Sequence, residues 1–366
     1  MAALPHSVRK GFAFPLRVRY SEATPRSRRR SLDSFWMMNG KAEPYRTEGG
    51  RAANSMRIVF MGTPESAVPS LQRLLSDGHE VVAVWTQPDK PAGRGDQMHA
   101  PAIKTFALER GLKIEQPQKI RTKDAKELFA SYQADLAVVV AYGRILPSEY
   151  LTAPRRGCIN VHFSLLPRYR GAAPVNWAIV NGDEKTGVTT MFVEEELDSG
   201  PILLQRETRI DPAETAPDLM RRLAESGAEL LGETVRRLDE LQPVSQDESK
   251  ATFAPLLTKE TGMLDWASPA REIERRVRGL QPWPNAYTHW NSQRLIVWKA
   301  FVQDHPTHSA APGEVLAAHG DELIVSCGDK TALRLLELQL QGKRRLPARD
   351  FLNGTHLKIG DRFGQD

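Results

Sequence analysis

The sequence predicts an α/β protein of two domains, a doubly wound sheet followed by a small strand-rich barrel. Three observations predict it. Arg57-Ile58-Val59-Phe60-Met61-Gly62 reads as a buried strand, Thr63-Pro64-Glu65 as a helix start, and Val81-Val82-Ala83-Val84-Trp85-Thr86 as a second strand. Such a strand, helix, strand unit closes with a right-handed parallel crossover. The run Leu136 to Tyr142 is continuously apolar, the pattern of a strand covered on both faces. After Thr258 the strand-like pieces become short and closely spaced, which suits a small barrel.

Taken in order, the chain begins with residues 1 to 55, which hold eleven Lys or Arg against four Asp or Glu, a net +7. The whole chain carries +5, so everything after this leader is slightly acidic at −2 and gives no general argument for nucleic-acid binding. With Arg26-Ser27-Arg28-Arg29-Arg30-Ser31 and no periodicity, the leader is expected to be a disordered basic tail. An organelle transit peptide is the alternative, as is a working start at Met56.

From Arg57, the first helix has Leu71, Leu74 and Leu75 on one face and ends at Gly78. A G-x-G-x-x-G pattern is absent at Gly62, which argues against a dinucleotide enzyme. Gln87 to Asp96 is expected to be a loop outside regular structure, carrying Lys90 and Arg94 beyond a strand's C-terminal end. Doubly wound sheets place ligand-binding groups there. Helices are expected over 101 to 110 and 123 to 131, with a short strand at Ile114 between them. Ala173 to Val180 reads as a helix, and Asp218 to Leu241 as a long amphipathic one with Leu219, Leu223, Leu230 and Leu238. The polar stretch 242 to 257, with Pro243 and Pro255, reads as a linker. That divides the chain into a first domain at 56 to 241 and a second domain at 258 to 366. In the latter, a helix at Ala270 to Arg278 precedes strands at 295 to 301, 313 to 317, 322 to 327 and 332 to 340.

Chemistry is concentrated between Cys158 and Gly171. Ile159, Val161 and Phe163 alternate with Asn160, His162 and Ser164, the period of a strand, so Asn160 and His162 share one face about 6.7 Å apart. Together they can donate to one oxygen as it becomes an oxyanion, which points to acyl-type transfer. They can equally be ordinary polar residues of a half-exposed strand. A second strand, Thr186 to Val193, leads into Glu194 to Pro201, where Asp198 could orient a histidine or simply serve turn chemistry. Two cysteines, Cys158 and Cys327, form no Cys-x-x-Cys pair. Neither a disulfide framework nor a metal site is indicated, and Cys158 is expected to be a buried hydrophobe. No apolar run approaches the roughly 18 residues of a membrane span.

Asn160-Val161-His162, Ser164-Leu165-Leu166-Pro167 with Arg170-Gly171, Thr186-Gly187-Val188-Thr189 and Leu197-Asp198-Ser199-Gly200 resemble the signature of folate-dependent formyltransferases. The resemblance runs from Met56 to the C-terminus, with Leu280 to Asn285 similar to the opening of the family's C-terminal domain. It implies a Rossmann-like catalytic domain and an OB-like barrel. It further implies 10-formyltetrahydrofolate as formyl donor, with Ser164, Leu165, Leu166 and Pro167 bordering it, and the amino group of an initiator methionyl-tRNA as acceptor. Asn160, His162 and Asp198 would be catalytic. Lys90, Arg94, Arg170, Lys343, Arg344 and Arg345 would meet the tRNA. A monomer in the bacterial cytoplasm is expected, or an organelle if the leader is a transit peptide. Asp96 and Gln97 stand where relatives often carry basic residues, and Phe163 where they carry a small one. An amino-sugar or ribonucleotide acceptor would keep the same three catalytic residues, and a noncatalytic RNA-binding protein could use the same fold. Trp283, Trp290 and Trp298 are expected in the core or at an interface rather than stacked on bases.

Overall fold

The structure, a computed structural model, describes residues 55–92, 97–303 and 310–364. The basic leader and Arg94 lie outside them. The chain opens with β1 (Arg57–Gly62), α1 (Val68–Ser76), β2 (Glu80–Trp85), β3 (Lys90–Ala92), β4 (Gln97–His99), α2 (Ala102–Leu108) and β5 (Ile114–Glu115). Next come α3 (Lys123–Ser131), β6 (Leu136–Val140), α4 (Ser148–Thr152), β7 (Cys158–His162), β8 (Arg170–Gly171) and α5 (Pro174–Val180). The domain is completed by β9 (Lys185–Phe192), β10 (Ile202–Arg209) and α6 (Ala216–Arg236), after which β11 (Phe253–Ala254) leads out.

Seven strands form one sheet in the order β10-β9-β7-β6-β1-β2-β5. The five from β5 to β7 run parallel, whereas β9 is antiparallel to β7 and β10 to β9. The alternation along β7 therefore separates two environments. Ile159, Val161 and Phe163 enter a core with β1, α1 and α6, built around Leu71, Leu74, Leu219 and Leu230. Cys158 faces the opposite core with Trp85, Phe129, Tyr142 and Tyr150. Each buried leucine contributes about 1.5–3 kcal/mol. At Gly227, α6 presses on β7 so closely that a Cβ would lie 2.9 Å from Val161 Cγ1.

Two expectations need correction. The stretch expected to stay outside regular structure contains a ribbon, with Lys90 opposite His99 and Ala92 opposite Gln97. Pro91 is tolerated because both strands of a two-stranded ribbon are edges. The stretch expected as a linker is instead a strap. Val244 bridges to Ile202, and Phe253 and Ala254 pair in parallel with Arg170 and Gly171. Gly171, at φ +121, lets this happen, since a Cβ there would sit 2.7 Å from the Ala254 oxygen.

The second domain holds α7 (Ala270–Gly279), β12 (Ala286–Trp290), β13 (Gln293–Gln303), β14 (Val315–His319), β15 (Glu322–Ser326), β16 (Ala332–Leu340), β17 (Leu346–Pro347) and α8 (Ala348–Asn353). Its antiparallel sheet runs β12-β13-β16-β15-β14, with β17 added on β16, around Trp266, Val277, Leu295, Leu333 and Phe351. The two domains are fastened where α5 meets α7. Asn176 Nδ2 donates to the Gly279 oxygen at 2.7 Å, and Arg278 donates to the Glu214 oxygen at 2.8 Å. No helix among the described residues is long and apolar enough to cross a membrane.

Candidate active site

β7 ends at the carboxyl edge of the sheet, between the parallel strands and the antiparallel pair, and carries Asn160 and His162 on one face. The structure brings Asp198 to both. His162 Nδ1 lies 3.7 Å from Asp198 Oδ2, and Asn160 Nδ2 donates to Asp198 Oδ1 at 3.5 Å. The other ring nitrogen of His162, Nε2, contacts the carbonyl oxygen of Tyr169 at 2.9 Å. The His162 and Asp198 side chains are 6% and 11% exposed, so their mutual field is weakly screened by water.

Both residues that hold the His162 ring have left-handed backbone, Tyr169 at φ +62 and Asp198 at φ +52. For a bulky residue such as Tyr169 this conformation is strained by about 1–2 kcal/mol and persists only when surrounding bonds over-determine it. Those bonds are present. Tyr169 N–H donates to Thr252 Oγ1 on the strap at 2.9 Å. Gly171 N–H donates to Asp198 Oδ2 at 2.8 Å. The Asp198 and Gly200 carbonyl oxygens each accept from Gln246 Nε2 at 2.8 Å.

Ser164 to Pro167 form a ledge beside this group whose four carbonyls are all taken by the protein. Thr189 Oγ1 donates to the Ser164 oxygen and Gln205 Nε2 to that of Leu166, at 2.7 and 2.8 Å. Arg168 N–H serves Leu165 and Thr252 N–H serves Pro167. Leu165 and Pro167 remain half-buried. The ledge thus offers a ligand apolar surface on a rigid support.

Residues 56–235 match the family model described as formyl transferase, and residues 256–356 match its C-terminal domain. The chain belongs to the formyl transferase family. Residues 236–255, which include most of the strap, lie outside both matches. A methionyl-tRNA formyltransferase of Caldanaerobacter subterraneus subsp. tengcongensis is 48% identical over 312 residues, covering 83% of this chain and 99% of that protein. Another, from Citrifermentans bemidjiense, is also 48% identical, over 85% of this chain and 97% of its own length. In fold, the protein resembles HypX from Aquifex aeolicus in complex with tetrahydrofolic acid, with a TM-score of 0.56 and 20% identity. That match covers 81% of this chain and 47% of the longer HypX chain.

Among the cations expected to meet tRNA, this formyl transferase uses Arg170 differently. Arg170 is 4% exposed, with its guanidinium bound to Gln246 Oε1 and to both carboxylate oxygens of Glu248. A buried cation with its donors engaged is a brace and not a phosphate contact, which corrects the expectation. Lys90 Nζ donates to Gln87 Oε1 at 2.7 Å, and Gln87 in turn donates to the carbonyls of Tyr142 and Gly143 beyond β6. Desolvation and then the nearby Arg144 lower the Lys90 ammonium below its usual range. Arg144, whose guanidinium donates to the Gln118 oxygen at 3.0 Å, is a cation near Lys90 that the sequence did not single out. Lys343, Arg344 and Arg345 lie between β16 and β17 of the second domain. All three are exposed, and Arg345 also pairs with Glu337 and lies over the Trp298 ring, 4.8 Å from its centroid. Cys158 is buried, donates to the Tyr150 oxygen, and has its thiol pushed up to about 12 by burial.

Proposed function

We propose that this formyl transferase moves a formyl group from 10-formyltetrahydrofolate to the α-amino group of methionyl-tRNA. The observation that carries the reading is the meeting of Asn160, His162 and Asp198 at the end of β7, in a chain similar over nearly its whole folded length to methionyl-tRNA formyltransferases. The apolar ledge of Leu165 and Pro167 fits the flat rings of a folate. The folate supplies the formyl group. The incoming amine must be neutral, and near its ordinary pKa of about 8 a usable fraction is.

Asn160 keeps one Nδ2 hydrogen free of Asp198 and aims it at the formyl oxygen as negative charge develops there. The Tyr169 carbonyl can only accept, so neutral His162 carries its hydrogen on Nε2 and its lone pair on Nδ1. Nδ1 takes the proton the amine loses as its new bond to the formyl carbon forms, and Asp198 stabilises the resulting imidazolium. The same proton returns to the folate nitrogen as its bond to the formyl carbon breaks, leaving the residues as they began. Lys343 and Arg344 supply phosphate contacts from the second domain.

The test is single-turnover formyl transfer to charged initiator methionyl-tRNA by the full chain, by Asn160→Ala and by a form beginning at Met56. Transfer by the first and third, with a loss of about 10²–10³ in the variant, supports the reading. Folate consumption with small amines but not with the tRNA would assign another acceptor.

A further inference from the structure

We infer that Gln246 and Arg170 form a positioning relay that holds Asp198 in its working conformation from the strap between the domains. The inference rests on the proposed role of Asp198. Gln246 is buried and makes every hydrogen bond its amide can make. Oε1 accepts from Arg170 Nε at 3.0 Å and from a second Arg170 nitrogen at 2.8 Å, while Nε2 donates to the carbonyls of Asp198 and Gly200, both at 2.8 Å. Arg170, which can only donate, dictates which end of the amide faces it. The other end is thereby aimed at the loop carrying Asp198. Glu248 grips the outer edge of the guanidinium through both carboxylate oxygens. The Arg170 bond draws that carboxyl below the ordinary range.

The loop needs such a brace. Asp198 is left-handed, and of its carboxylate only Oδ2 is fixed by a short backbone bond, from Gly171. Gly171 directly follows Arg170, and its pairing partner Ala254 belongs to the same strap as Gln246. Both the backbone and the carboxylate of Asp198 are therefore set by one unit. Neither Gln246 nor Arg170 touches the reacting atoms. Both are positioning residues.

A double-mutant cycle between Gln246 and Asp198 tests the relay. Gln246→Met removes the donors and the acceptor at nearly constant volume, while Gln246→Glu keeps an acceptor for Arg170 and loses the donors. Each is expected to lower single-turnover kcat about 10–100-fold per active site, because small misplacements of reacting groups cost that much. KM for donor and tRNA should stay within about threefold, since ground-state binding is untouched. The ratio of Gln246→Glu to parent rate should rise as pH falls, because a protonated carboxyl recovers one donor. In an Asp198→Asn background the Gln246 substitutions should cost less than about threefold more. The relay is overturned by an equal cost in both backgrounds, by a kcat within about twofold of the parent, or by a loss confined to the yield of folded protein. If Asp198→Asn alone leaves the rate intact, the catalytic reading of Asp198 fails, and the relay with it.

Discussion

His162 Nε2 donates to the carbonyl oxygen of Tyr169 at 2.9 Å, so the main chain fixes one side of the ring while the Asp198 carboxylate flanks the other. Under the proposed mechanism the lone pair of the neutral ring faces Asp198 Oδ2, 3.7 Å away, and the attraction of that carboxylate is what the proton taken from the amine would meet.

Asp198→Asn removes that attraction for the proton and leaves the architecture in place. Asparagine tolerates the left-handed backbone, and its amide oxygen can still accept from Gly171. Single-turnover transfer should fall about 10²–10⁴-fold, with a melting temperature within about 3 °C of the parent. Undiminished transfer in a folded variant would remove Asp198 from the mechanism.

Lys343, Arg344 and Arg345 are all exposed, but of the three Arg345 is engaged with Glu337 and Trp298. Replacing Lys343 or Arg344 by alanine should weaken tRNA binding and reduce the slope of log affinity against log salt by about 1 per lost phosphate contact. Arg345→Ala should leave the slope nearly unchanged and lower the melting temperature. Filter binding at several salt concentrations separates these outcomes, and unaltered slopes for Lys343 and Arg344 would move the RNA path elsewhere.

The chain has two cysteines, and burial pushes both thiols up to about 12. The native protein should therefore give no fast reaction with a thiol reagent near pH 8, and two equivalents should react after denaturation. Cys158→Ala should retain transfer. Rapid native labelling at Cys158, or loss of turnover on its replacement in a folded protein, would contradict the purely structural assignment.

His79 is buried, and its Nδ1 accepts from the Met56 N–H at 3.2 Å. Burial lowers its pKa, with Asp77 acting weakly in the opposite direction. Above about pH 6.5 the ring is neutral whether folded or unfolded; below it, the unfolded chain takes up a proton that the folded one resists. Stability should therefore fall as the solution is acidified. His79→Gln should flatten that slope, seen as a smaller shift of the urea midpoint between about pH 7.5 and about pH 5.5 than the parent shows. Equal shifts would place the acid sensitivity on other groups.

The strand carrying Asn160 and His162 was legible because its information is local. Alternation alone places Asn160 and His162 on one face, and the turn residues around Asp198 mark a loop. What escaped depends on pairing between distant segments. The edge strand β10 buries little of its Gln205-to-Arg209 half, so no clear apolar stripe announced it. Arg170 beside Gly171 looks like a phosphate-binding cation until Gln246 and Glu248, far along the chain, surround it. Gln246 itself sits in a polar, proline-bounded run whose composition is that of a tether. The nearest sequence signal was Asp247 and Glu248, carboxylates available to a buried arginine.

The parallel pairing of Phe253 and Ala254 with Arg170 and Gly171 fixes where the polypeptide can be cut. A fragment ending at Leu241, the apparent close of the first domain, would lose Gln246 and the main-chain partners of β8, and would present Arg170 uncompensated. A stand-alone catalytic module has to be carried past Ala254, so what looks like spacer belongs, as a unit of inheritance and of protein engineering, to the enzyme half of the chain.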